Sequence, residues 1–168
     1  GLTDLSRYPA RRGFDDLAMI VSDDQLQFDW TAVTFPKERY VWFALKDPRV
    51  LRQTVLWISN GGRHYAPWSG RYVNVMGLEE VTGYFHLGLA ESARRNPLAA
   101  KGIMTCLKLN PQKPAVVNYI MAMVPIPNGF DLVDAITPTA DGQLVELRAA
   151  SGRTTMAALD MNFLTSNI

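Results

Sequence analysis

The sequence contains one cysteine, Cys106, and two histidines, His64 and His86, in 168 residues. An intrachain disulfide is excluded, and so is a zinc site built on cysteine. A histidine-rich metal centre lacks ligands, and the spacing of His64, His86 and a glutamate does not demand a metal site. Charge of one sign is also missing. Lys and Arg total 17 and Asp and Glu 16, a net of +1. That balance offers no broad surface to a nucleic acid or an anionic membrane. No stretch approaches the roughly 18 apolar residues of a membrane-spanning helix. No Gly-x-Ser-x-Gly and no glutamate-flanked histidine pair is present, so the usual hydrolase motifs are absent. Gly61-Gly62, Asp141-Gly142 and Ser151-Gly152 precede no helical pattern, so none reads as a phosphate or dinucleotide loop. Gly1-Leu2-Thr3-Asp4 has no start methionine and neither the positive region nor the apolar run of a signal peptide. A fragment of a longer, cytoplasmic protein is expected.

The apolar fraction is 48% and the charged fraction 20%, ordinary globular values. A chain of this length forms one domain, 1–168, and buries about 70% of its extended surface without metal or disulfide. The charges are unevenly spread. Residues 51–108 carry seven bases against three acids, a net of +4. An anionic or polar ligand is expected there rather than at either end.

The dominant rhythm is short and β-like, with no sustained helical stripe. Leu17–Val21, Gln27–Val33, Tyr40–Leu45 and Thr54–Ser59 are rich in Val, Ile, Thr and aromatic residues and predict four strands. Phe28, Trp30 and Ala32 alternate onto one face. Pro48 opens a turn, and Asn60-Gly61-Gly62 closes the fourth strand. Val75–Glu79, Ile103–Leu109 and Ala115–Val124 predict three more strands, the last stopped by Pro125 and Pro127. Phe130–Ile136 is a short strand or helix. Asp141-Gly142 introduces a hairpin of Leu144–Ala149 and Thr154–Leu159. Residues 87–93 allow one short helix. The expected architecture is all-β, with two packed antiparallel sheets. The long segments 60–72 and 86–102 are candidates for function.

Arg63, His64, Tyr65 and Trp68 form the densest polar-aromatic cluster. Sugar recognition needs this mixture, because a ring face covers the apolar face of a pyranose while charged donors take its hydroxyls. The same residues also suit a structural loop with Arg63 in an ion pair. Glu79 and Glu80 are adjacent, so a regular strand points them to opposite faces. One can serve as a base, and the other can pair with an arginine. His86 and Glu91 can shape one rim. Arg94, Arg95 and Lys101 suit either a phosphate or solvent. Trp30, Trp42 and Trp57 are expected in the core, and Met19, Met76, Met104, Met121 and Met123 are read as sheet-packing residues.

Two segments, Trp57-Ile-Ser-Asn-Gly-Gly-Arg-His-Tyr-Ala-Pro-Trp68 and Gly77-Leu-Glu-Glu-Val81 with the later Asn96-Pro97-Leu98 and Lys101-Gly102, carry a resemblance. Together with the strand order from Tyr8-Pro9 to residue 160, they resemble the C-terminal half of the galactose mutarotase-like, or aldose 1-epimerase-like, superfamily. The resemblance implies an antiparallel β-sandwich within a mutarotase-like supersandwich. It implies binding of a hexose or related sugar, isomerase chemistry on its anomeric carbon, and no cofactor. Glu79 matches the glutamate that takes the anomeric hydroxyl proton, and Glu80 departs from the proline often found next. Arg63, His64, Tyr65, Trp68, Glu80 and His86 are the expected substrate-binding set. The family's general acid belongs to an N-terminal half that this chain lacks, so the isolated chain is expected to be inactive. The alternatives are a non-catalytic carbohydrate-binding or assembly module, and a homodimer that buries an unpaired sheet edge.

Overall fold

The computed structural model describes residues 4–6, 8 and 11–166. Gly1–Thr3 and Pro9, which figured in the reading of the N-terminus, lie outside the described residues. Among these, nine strands form three antiparallel sheets of three strands each, so the chain is all-β. The number of sheets is three rather than the expected two. Neither described helix exceeds six residues, and no helix is long and apolar enough to cross a membrane. The chain gathers into two compact units, one formed by residues 1–24 and 49–109 and the other by residues 25–48 and 110–168.

The first unit is built on one sheet. Its strands are β1 (Phe14–Val21), β4 (Gln53–Asn60) and β5 (Val75–Val81), with β4 in the centre. Seven of the eight β4 residues are buried, as a central strand with β-branched side chains on both faces requires. The register pairs Asp15 with Ser59, Leu17 with Trp57 and Met19 with Val55, and on the other side Gly77 with Trp57 and Glu79 with Val55. Side chains alternate across a strand. Asp15, Leu17, Trp57, Gly77, Val55, Glu79, Gln53 and Val81 therefore share one face, and Thr54, Leu56, Leu78 and Glu80 share the other.

Two segments complete this unit. Residues 61–74 link β4 to β5, and residues 82–109 follow β5 and include α1 (Gly88–Ala93) and a 3-10 turn, Ala99–Lys101. Buried amide and hydroxyl groups hold the second segment in place. Gln53 Oε1 accepts from the Gly83 amide at 3.0 Å, and its Nε2 donates to the Met104 carbonyl at 2.9 Å. Asn96 Nδ2 donates to Thr105 Oγ1 at 3.0 Å, and that hydroxyl donates to the Ser92 carbonyl at 2.7 Å. Ile103–Leu109 is not the expected strand: the Met104 carbonyl is taken by Gln53 and the Ile103 amide donates to the Leu98 carbonyl at 3.1 Å, so neither is left for a strand partner.

The second unit holds two sheets, β2 (Asp29–Phe35), β3 (Tyr40–Lys46) and β6 (Tyr119–Pro125), then β7 (Val133–Pro138), β8 (Leu144–Ala149) and β9 (Thr154–Ala158). Both feed one apolar core. Val41, Phe43 and Leu45 of β3 meet Val124, Val133, Ile136, Val145 and Leu147, with Trp30 and Phe28 packed against them. The hairpin of β8 and β9 forms as expected. The strand expected at Ala115–Val124 begins only at Tyr119, because residues 115–117 are exposed and pair with nothing in the sheet. Phe130 lies in a turn whose amide donates to the Pro127 carbonyl at 3.2 Å, so β7 starts three residues later. Trp42 points away from the core and is half-buried, and Met121 and Met123 are 63% and 69% exposed, so these three are not core residues.

Glycines mark the tightest approach in the first unit. Gly61 has φ +88°, a conformation that favours glycine. A Cβ on Gly62 would overlap the Phe14 carbonyl carbon and the Asp15 amide nitrogen and lie 2.8 Å from Asp15 Oδ1. On Gly77 it would meet only ordinary contacts, the nearest at 3.6 Å. We therefore expect Gly62→Ala to cost about 3 kcal/mol or more, since an overlap with backbone cannot be relieved by a rotamer change. Gly77→Ala is expected to be neutral or to stabilise by up to about 1 kcal/mol through the unfolded chain. Urea unfolding of the two variants beside the parent chain checks both, and a Gly62→Ala midpoint equal to the parent's would refute the first.

Candidate functional site

A groove of about 750 Å³ lies on the Asp15–Glu79 face of the β1, β4, β5 sheet, within the first unit. Its floor is Leu17, Val55, Trp57, Glu79 and Val81. Residues 63–72 contribute Arg63, Trp68 and Tyr72 at one end, and residues 82–92 contribute Phe85, His86, Leu89 and Ser92 at the other.

Asp15 organises the first end. Its Oδ1 accepts from Ser59 Oγ at 2.8 Å and from the Gly62 amide at 3.2 Å. Its Oδ2 accepts from Trp57 Nε1 at 3.3 Å and from Arg63 Nε at 3.0 Å. Burial opposes ionisation of Asp15, but the bonds from Ser59, Trp57, Arg63 and Gly62 together outweigh it and hold its carboxyl below the ordinary 3.8. The charged donor also makes its bond stronger than a neutral one.

Arg63 is fixed on three sides. Its guanidinium carbon lies 4.4 Å from the centre of the Trp57 ring and 5.0 Å from that of Trp68. Tyr72 stacks on Trp57 at 5.4 Å and meets Trp68 edge-on at 5.2 Å. Cation–π contacts of this kind stabilise by about 0.5–2 kcal/mol, more where water is excluded. With Nε on Asp15, neither Nη group of Arg63 has a hydrogen-bond partner among the described residues. The 61–74 segment that carries these rings is held by its own backbone. The Gly61 amide donates to the Tyr72 carbonyl at 2.9 Å, and the Gly70 amide to the Arg63 carbonyl at 2.7 Å.

At the other end, Phe85 has φ +55°. A bulky residue in this region carries strain of order 1–3 kcal/mol, a cost that is typically met at functional sites. The conformation sends Phe85 into the groove, where its ring meets His86 edge-on at 4.4 Å. Ser92, buried, braces the bend. Its Oγ accepts from the Tyr84 amide at 2.9 Å and donates to the Gly88 carbonyl at 2.8 Å.

Of the residues singled out from sequence, Arg63, Trp68, Glu79 and His86 line this groove. Glu79 and His86 are both exposed. His64 and Tyr65 are exposed and line no part of it. Glu80 lies on the opposite face, where Thr54 Oγ1 donates to its Oε2 at 2.6 Å. Glu91 pairs with Arg94 through a 2.8 Å bond to Arg94 Nε, and Arg94, Arg95 and Lys101 are exposed away from the groove. Trp57 is a groove wall rather than a core residue, because its strand alternation places it beside Leu17 and Gly77. Asp15, Tyr72 and Phe85 were not picked out from sequence. For Asp15 a signal existed: an aspartate two residues before Leu17 joins the same strand face, in a strand where its type is disfavoured without partners. No group of three or more metal-ligating side chains is present among the described residues.

No family model, no curated protein and no solved structure matches the chain.

Asp15 ties this site to acid stability. Its folded value is depressed, so its contribution is present above the unfolded value and is lost as pH falls through the folded one. In the parent chain, urea stability is expected to fall on acidification below about 3.8 more than it does in Asp15→Asn. The variant should be less stable by roughly 1–3 kcal/mol at neutral pH. Its Trp57 indole N–H resonance should move upfield, and an unmoved resonance would show that the indole is not held by this carboxylate.

Proposed function

We propose that the groove binds a hexose or related carbohydrate. The observation that carries this reading is the placement of Arg63. Its guanidinium is clamped between Trp57 and Trp68, tethered through Nε, and left with its Nη donors open beside a groove that also holds Glu79. Rigid donors bind hydroxyls with little ordering cost. The rings of Trp68, Tyr72 and Phe85 and the Glu79 carboxylate, which line the same groove, supply the apolar contact and the acceptors that a pyranose requires.

In the fuller form of the proposal, the chain is the C-terminal part of a mutarotase-like β-supersandwich, and Glu79 is the base of an anomer interconversion. Glu79 would take the C1 hydroxyl proton while an acid protonates the ring oxygen. The C1–O bond opens, the C1–C2 bond rotates, and the ring closes on the other face with both protons returned. The acid would come from the missing N-terminal half. His86, in the same groove, is the imidazole to replace first when the acid is sought. No cofactor enters this chemistry.

One observation favours binding without catalysis. Glu79 is exposed, whereas general bases gain from enclosure that only a substrate or further chain would supply here.

Titration with glucose, galactose and glucose 6-phosphate, followed by indole N–H shifts and calorimetry, tests the proposal. At least one sugar is expected to saturate the Trp57 and Trp68 signals. Arg63→Ala should weaken it by about tenfold to a hundredfold, the loss of a charged hydrogen-bonding group. Glu79→Gln should keep binding but remove any acceleration of anomer exchange. A full sugar panel that leaves both indole signals unmoved would overturn the reading.

A further inference from the structure

We infer that the ligand of this groove is a carbohydrate carrying an apolar substituent, an alkyl or aryl glycoside rather than a free sugar; the inference rests on the carbohydrate reading above. The groove has two ends of different chemistry. Asp15, Arg63, Trp68 and Tyr72 gather over Ser59 and Trp57, and this end is polar and aromatic. At the other end Val81, Phe85 and Leu89 present apolar side chains beside His86 and Ser92. Trp57, at the first end, pairs with Gly77 of β5, and Val81, at the other, lies four positions along that strand, which at roughly 3.4 Å per residue is about 14 Å. Glu79 and Val55 lie between them on the same face. A single pyranose at the Arg63 end leaves the far end uncovered.

The far end is built to meet something apolar. Leu89 is 78% exposed, yet it lines the groove. Phe85 is brought there in a left-handed conformation, and the Ser92 hydroxyl fixes the bend behind it. The volume of about 750 Å³ is in the upper part of the range that encloses drug-sized ligands, about 300–1,000 Å³. A glycoside places its polar ring and its apolar group in the order that these two ends require, with the glycosidic bond near Glu79.

The test compares methyl glucoside, octyl glucoside below its micelle threshold, and an octyl chain on a phosphocholine head, each titrated into the parent chain, Leu89→Ser and Arg63→Ala. Octyl glucoside is expected to bind at least tenfold tighter than methyl glucoside. Leu89→Ser should bring that ratio toward one, and Arg63→Ala should weaken both glucosides while preserving the ratio. Leu89 is so exposed that its replacement does not threaten folding. Equal binding of the two glucosides overturns the inference and leaves the carbohydrate reading standing. Binding of neither overturns both. Equal binding of octyl phosphocholine overturns the inference in favour of a general lipid surface. A dimer in sedimentation that Leu89→Ser converts to monomer overturns it in favour of a second copy over this end.

Discussion

The Asp15 carboxylate is the point through which the first unit is joined. It sits on β1, yet its four hydrogen-bond donors come from β4 and from the segment that leaves β4. One side chain thereby sets the pairing of two strands, the angle of an indole ring and the position of a guanidinium. An ionised carboxylate offers about four lone-pair sites. Here all of the demand on them is met by protein groups that would otherwise turn to water. The constraint explains the two adjacent glycines as well. Gly61 makes the turn, and Gly62 must come so close to Asp15 that no side chain fits.

A second set of polar groups does the same work at the opposite end. Gln53, Ser92, Asn96 and Thr105 are buried, and each is satisfied within a short stretch of irregular backbone. Buried polar groups of this kind are costly when unpaired and specifying when paired. They let a long segment without a strand lie in one conformation against the sheet. The groove thus lies on a strip of sheet whose flanking segments are each held by hydrogen bonds, one set on Asp15 and the other behind residues 82–105.

The strand content was legible because β-branched and aromatic blocks bounded by turns leave little else for the chain to form. The Asp141-Gly142 and Ser151-Gly152 turns carried their own register, since each needs a left-handed glycine between strands of opposite direction. Ile103–Leu109 misled because its composition is that of a strand, while its Ile103 amide and Met104 carbonyl are taken by Leu98 and Gln53, contacts that composition does not encode. The adjacent glutamates were legible as a pair on opposite faces, from the pleat alone. Arg63 and Trp68 were visible as a cluster in one loop. Phe85 was not, because it joins the groove through a backbone angle that composition does not encode, and Asp15 was marked only by its place on the Leu17 face of a strand that disfavours its type.

The two units are interleaved along the chain. The first takes residues before 25 and from 49 to 109, and the second takes the remainder. During synthesis, β2 and β3 emerge early, but β6, which covers the other edge of β3, begins only at Tyr119. The apolar partners of Phe43 in β7 and β8 come later still. The β2–β3 hairpin therefore lacks its β6 partner until the whole of the first unit has been made. The first unit, complete by residue 109, can form ahead of it. The order of emergence favours the unit that carries the groove, and the other unit completes its core only once β6, β7 and β8 have followed.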